Sequence, residues 1–314
     1  MLEAELARHF ERLAQELPPL APEASPLVRR LRYWGLAAHA STHWPDRVTV
    51  NDVAVATAVG RVPVRLFYGH DGRDEPVPTI VYFPGGGWVC GNPDTHASLC
   101  ARLAYEANAL VAAVDVPNAP EATWQQITET CHAAAEAIAA DRARAAPATP
   151  LVLAGDSAGG HLAAVTSITA RDRESFHVVL AALFCPCIEP DFTTASYERF
   201  AEAPGLTRAE MQWYWRQYAG PDIGLNDYRI APTRAASLAG LPPMYVVTGG
   251  CDPLADDGRS WSEALRAHGV EVTHEAFEGM PHGFLRLAKF SAAADAALQH
   301  VGARLGQLLR NACT

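Results

Sequence analysis

The sequence predicts an α/β fold in which helices cover both faces of a mostly parallel sheet. Three observations carry this. Five near-continuous apolar runs, "TIVYF" (79–83), "ALVAAVDV" (109–116), "LVLAG" (151–155), "VVLAALFC" (178–185) and "MYVVTG" (244–249), read as strands buried on both faces. Helix-like segments at 94–107, 124–146, 158–171 and 256–268 alternate with them. Right-handed crossovers between parallel strands then give a doubly wound sheet.

The remaining elements fit around this core. Residues 1–45 read as helices broken by the proline-rich "PPLAPEASP". "VTVNDVAVATAVG" and "VPVRLFY" alternate apolar and polar residues about Gly60-Arg61, as a hairpin or meander does. The chain closes with "VEVTHEAF" (270–277) and a final helix from about Ala292 to Leu309. Residues 188–228 interrupt the alternation with a partly helical, aromatic-rich stretch too long for an ordinary connection. This divides the chain into an N-terminal helical part (1–45), a catalytic domain (46–187 and 229–314) and an insertion (188–228). The first and last of these form a lid over the carboxyl edge of the sheet, where open α/β folds bind ligands.

Composition excludes several classes. The net charge is −10 over 314 residues, and the scattered basic residues argue against nucleic acid and stable membrane association as partners. The N-terminus is apolar at Leu2, Leu6, Phe10, Leu13 and Leu17, a helical spacing and not the unbroken apolar core of a signal peptide. A cytoplasmic protein is the expectation. Seven cysteines, an odd number with no CxxC spacing, fit reduced thiols; Cys185-Pro-Cys187 reads as two thiols at the end of a buried strand. His39 and His43 lack a cysteine or acidic neighbour that would make a metal site, and no dinucleotide or phosphate-binding loop is present, so no metal and no cofactor are expected.

The chemistry lies in "LVLAGDSAGGHLAAV". Gly155-Asp156-Ser157-Ala158-Gly159 is a G-x-S-x-G turn between a strand and a helix, which lifts a serine above the sheet and needs small residues on either side. The helix directs its N-terminal N–H groups toward the serine, where an oxyanion would develop. A serine hydroxyl needs a base, and the base needs an orienting carboxylate. Asp252 in "GGCDPLADDG" and His282 in "GMPHGF" follow in the required order, each in a loop beyond a strand. Asp256 and Asp257 lie where a helix begins and read as caps or surface charges. His268 and His274 fall inside a helix and a strand and read as structural. Upstream, Gly85-Gly86-Gly87 follows the strand 79–83, so Gly85 and Gly86, with Ala158, are the expected oxyanion donors.

Together, "PGGGW", "APE" (119–121), "GDSAGG" (155–160), "GLPP" (240–243), "DPLADDG" (252–258) and "HGF" (282–284) resemble the hormone-sensitive-lipase family of α/β-hydrolases, the bacterial family IV esterases. The match runs from about residue 48 to the C-terminus, and the N-terminal helices resemble that family's cap. The resemblance implies an eight-stranded, mostly parallel sheet and cofactor-free hydrolysis of short- to medium-chain carboxylic esters. It maps nucleophile, acid and base onto Ser157, Asp252 and His282, and the oxyanion donors onto Gly85, Gly86 and Ala158. It also implies a homodimer paired through the last edge strand, near 270–277.

Two departures stand out. Pro84 occupies the place of a histidine that usually braces the glycine loop; proline fixes φ but has no such hydrogen bonds to offer. The expectation is either a loop stiffened by another route or a re-aimed oxyanion hole. Val116 and Pro117 replace a tyrosine and an arginine, which implies an altered pocket. Trp88, Trp213, Trp215 and Phe284 are the residues expected to line an apolar pocket for a small-molecule ester. The functional expectation is a serine carboxylesterase, the alternatives being an amide hydrolase or acyltransferase on a specialised metabolite, or a non-catalytic small-molecule binder.

Overall fold

Eight strands form one sheet in the order β1-β2-β4-β3-β5-β6-β7-β8. The computed structural model describes residues 1–69, 77–145, 149–221 and 226–311. Strands β1 (Thr49–Thr57) and β2 (Gly60–Tyr68) are an antiparallel hairpin, and β2 pairs antiparallel with β4 (Leu110–Val114). From β4 onward all neighbours are parallel: β3 (Thr79–Phe83), β5 (Leu151–Asp156), β6 (Leu180–Phe184), β7 (Met244–Cys251) and β8 (Val272–Pro281). The five apolar runs are thus strands, each slightly trimmed or extended. The hairpin turn falls at Ala58-Val59, earlier than Gly60-Arg61, with Thr57 Oγ1 donating to the Gly60 carbonyl at 2.7 Å.

Alternate residues of the central strands feed two cores. Ile80, Tyr82, Val111 and Val152 face α3 (Ala97–Ala107) and α9 (Ala292–Asn311). Val81, Phe83, Ala112 and Leu153 face α4 (Trp124–Ala145), α5 (Ala158–Arg173) and α8 (Ala255–Ala267). This period-two division is why the runs are apolar throughout.

Helix α1 (Ala4–Glu16) buries Leu6 in the α3/α9 core and stacks His9 on Phe290 at 3.7 Å. Helix α2 (Pro26–Ala40) is tied to the glycine loop: Arg30 Nε donates to the Val89 carbonyl at 2.7 Å, and Trp34 Nε1 to that of Cys90 at 2.9 Å. The insertion forms α6 (Ala195–Arg199) and α7 (Arg208–Ala219), the latter opened by a capping box between Thr207 and Glu210. No helix among the described residues is long and apolar enough to cross a membrane.

An aromatic cluster anchors α7. Trp88 stacks on Tyr218 at 4.4 Å and lies 4.5 Å from Trp215, and both enclose His161 of α5. Trp88 Nε1 donates to His161 Nδ1, and His161 Nε2 donates to the Ile230 carbonyl, so the ring is neutral with both nitrogens in use. Burial pushes its pKa down to about 3, against the opposing pull of the Ile230 bond. Below about pH 6.5 the unfolded chain takes up a proton that the native ring refuses. Stability contributed by this ring is therefore present above pH 6.5 and lost as pH falls toward 3. His161→Gln keeps both hydrogen bonds without the titration. Its urea midpoint is expected to fall less between pH 7 and pH 5 than that of the wild type; identical slopes would contradict the assignment.

Candidate active site

The site is assembled at the carboxyl ends of β3, β5, β7 and β8. Ser157 occupies the turn between β5 and α5 with φ +55° and ψ −120°, a conformation strained for any residue bearing a Cβ. The flanking glycines permit it. A Cβ on Gly155 would lie 2.3 Å from the Gly159 carbonyl, and one on Gly159 would lie 1.8 Å from the Phe83 carbonyl. The second contact also sets the elbow directly against the start of the glycine loop.

Asp252 follows β7 and His282 follows β8, so the parallel pairing of these strands brings the two side chains together. His282 Nδ1 donates to Asp252 Oδ2 at 2.8 Å, and Ser157 Oγ donates to His282 Nε2 at 3.0 Å. Asp252 is fully buried, and its other oxygen accepts the Leu254 N–H at 2.8 Å. The competitors lie elsewhere. His274 bonds Thr248 at 3.0 Å, and His268 bonds the Ala264 carbonyl. Asp256 pairs with Arg259, whereas Asp257 is neither a cap nor a surface charge: it is buried and accepts the Ile188 N–H at 2.8 Å.

The glycine loop corrects one expectation. The Gly85 N–H donates to Asp156 Oδ1 at 3.0 Å, so it cannot serve an oxyanion. Asp156 is buried and also accepts the Tyr82 hydroxyl at 2.6 Å and His96 Nε2 at 3.2 Å. Burial alone would raise its pKa, but the charge and hydrogen bond of His96, the charge of Arg286 and the Tyr82 bond hold it below the usual carboxylate range. Arg286 in turn bonds the Tyr33 hydroxyl of α2. The loop is thus braced from Asp156, beside the serine, and Pro84 leaves no missing support. Among the described residues, the N–H groups of Gly86, Gly87 and Ala158 have no hydrogen-bond partner.

The four expected pocket residues divide. Trp215 and Phe284 are both 0% exposed, so neither lines a space that even water can enter. Trp215 is spent in the aromatic cluster. Phe284 packs against Phe277 in the α3/α9 core, on the face of the sheet away from α7. Trp88 is buried between Tyr218 and Trp215, and Trp213 lies beneath the Arg29 guanidinium at 4.2 Å. Tyr214, another aromatic of the insertion, comes nearer the glycine loop than the four expected pocket residues suggest: its ring fills the space beside Gly87. A Cβ on Gly205 would lie 3.3 Å from the Phe10 ring and 4.0 Å from the His282 carbonyl, so α1 and the insertion meet beside the His282 backbone.

Strand order and the serine elbow at the β5–α5 turn define an α/β hydrolase. A family model described as the alpha/beta hydrolase fold matches residues 80–286. The chain is 35% identical to the carboxylic ester hydrolase LipN of Mycobacterium tuberculosis over 250 residues, which cover 76% of this chain and 65% of LipN. It is 36% identical to the esterase LipI of the same organism over 242 residues, 76% of each chain. The crystal structure of a thermostable esterase from Pseudomonas putida matches 98% of both chains with a TM-score of 0.91 and 28% identity. The chain belongs to the hormone-sensitive-lipase family of α/β hydrolases.

Proposed function

We propose that the protein is a serine carboxylesterase acting on short- to medium-chain esters through an acyl-enzyme. The observation that carries this reading is the unbroken chain of hydrogen bonds from Ser157 through His282 to Asp252. Ser157 Oγ attacks the ester carbonyl while His282 Nε2 takes its proton and passes it to the leaving alcohol. Asp252 keeps the remaining ring proton on Nδ1 and stabilises the imidazolium. Water then repeats the sequence in reverse and releases the acid.

Gly86, Gly87 and Ala158 are the oxyanion donors in this reading, since their N–H groups are uncommitted whereas that of Gly85 is held by Asp156. Asp156→Asn keeps the shape of the brace but weakens its charge-assisted bonds. It is expected to lower kcat by up to about 10²-fold with a smaller change in KM, because donors are misaligned where charge develops. A changed KM at constant kcat would assign Asp156 to substrate binding instead.

Residues 1–45 and 188–228 act as the cap, a reading supported by their meeting beside the His282 backbone. The Tyr214 ring, which fills the space beside Gly87, favours a short acyl site. Hydrolysis of p-nitrophenyl acetate and butyrate is accordingly expected to exceed that of the octanoate. A rate rising steadily to octanoate would contradict a cap closed in this way. Six buried free thiols among the described residues support a cytoplasmic protein. The outer edge of β8 is unpaired within the sheet and supports a homodimer formed there, which sedimentation would detect.

A further inference from the structure

Beneath the serine–histidine–aspartate chain lies a thiol that ester hydrolysis does not use. Cys185 follows β6 directly and has φ +45°, a left-handed conformation in which a residue bearing a Cβ is strained. Its N–H is fixed to the Val247 carbonyl at 2.7 Å. Its side chain is buried against the Asp252 carboxylate and the backbone of Gly283 and Gly249.

Ligand atoms of Cys185, Asp252 and His282 all lie within 4.8 Å of one another, and no other such group of three occurs among the described residues. Thiolate, imidazole and carboxylate are together the donor set of a zinc-class ion. A tetrahedral zinc with bonds of about 2.0–2.3 Å holds its ligands roughly 3.5 Å apart, so no pair has to close by more than about 1.3 Å. The His282 ring, 12% exposed and next to Gly283 at φ +65°, is the one of the three that reaches the surface, Cys185 and Asp252 being buried. Cys187, two residues on, has no such histidine and belongs to no such group.

We propose that Cys185, Asp252 and His282 form an inhibitory site for a divalent cation of the zinc class, with solvent as the fourth ligand. On binding, the Cys185 thiol proton leaves to solvent and the sulfur coordinates as thiolate. The proton on His282 Nδ1 moves to Nε2, and Nδ1 coordinates the ion. One proton is released and nothing is oxidised or reduced. Nε2 now carries hydrogen toward Ser157 Oγ and cannot accept the serine proton, so acyl transfer stops. The inhibitory consequence rests on the serine-esterase reading; the binding does not.

Cadmium titration of the full-length protein separates the two. Binding is read from the ultraviolet thiolate-to-cadmium charge-transfer band, and inhibition from p-nitrophenyl acetate hydrolysis with Cd²⁺ or Zn²⁺, reversed by EDTA. The expected result is a band saturating at one ion per chain, in parallel with loss of hydrolysis. Cys185→Ser should weaken cadmium binding at least about tenfold and keep a larger fraction of its own metal-free rate. Cys187→Ser should behave as wild type. His282→Ala, which leaves every thiol in place, should also weaken the band, and it decides the matter if the Cys185 variant does not fold. Equal binding by wild type and Cys185→Ser, or a band unaffected by His282→Ala, would overturn the site. A normal band on a protein without esterase activity would sink the esterase reading alone.

Discussion

Ser157→Ala is expected to lower kcat/KM for p-nitrophenyl butyrate by about 10⁴-fold or more, with circular dichroism and urea midpoint nearly unchanged. The size follows from the site's construction. Removing Oγ removes the covalent route entirely, and what remains is water acting near preorganised N–H donors. Stability should hold or rise slightly, because alanine at φ +55° is no more strained than serine and loses one buried hydroxyl. A variant retaining more than about a tenth of wild-type turnover would remove Ser157 from the nucleophile's role.

Asp252→Asn is the second large effect, and the structure dictates its mechanism. One Asp252 oxygen accepts the Leu254 N–H and the other accepts His282 Nδ1–H. In asparagine only one of these positions can be an oxygen. The Leu254 amide is a fixed donor, so the carbonyl is held there and the NH₂ group turns toward His282. The ring must then accept at Nδ1 and carry its proton on Nε2, which leaves no base for Ser157. A loss of about 10⁴-fold in kcat is expected, with KM little changed. A loss of only a few-fold would show that the imidazole keeps its tautomer without the carboxylate.

Much of this arrangement is legible in the sequence, for identifiable reasons. The strands announce themselves because each is buried on both faces, as at 79–83 and 151–156. Ser157, Asp252 and His282 are legible because each sits where a strand ends, and strand ends in a parallel sheet share one edge. The fate of the Gly85 N–H is not legible. It depends on a contact with Asp156, 71 positions away, whose carboxylate meets the loop only once β3 and β5 are paired. The aromatics fail for a related reason. Whether a tryptophan packs inward or lines a cleft depends on the orientation of its element, which composition does not encode. Phe284 illustrates this: two residues past His282, the chain has already crossed to the other face of the sheet. Asp257 reads as a cap or a surface charge because carboxylates at helix starts usually are; the Ile188 N–H that justifies its burial is a tertiary partner.

The brace on the glycine loop bears on how this chain differs from what the family resemblance implies. The expected histidine is replaced by Pro84, yet Asp156, Tyr82 and His96 already fix Gly85 from beneath, and the Arg286–Tyr33 contact extends this network to α2. The same buried carboxylate that precedes Ser157 thus links glycine loop, sheet and helix α2.

Everything in this mechanism turns on Ser157 forming the acyl-enzyme. The most direct measurement is mass spectrometry of the protein after treatment with diethyl p-nitrophenyl phosphate, followed by peptide mapping. One phosphoryl adduct per chain is expected, located on Ser157 and growing in step with the loss of esterase activity. Full labelling of Ser157 with hydrolysis intact, or inactivation with the adduct on another residue, would contradict it.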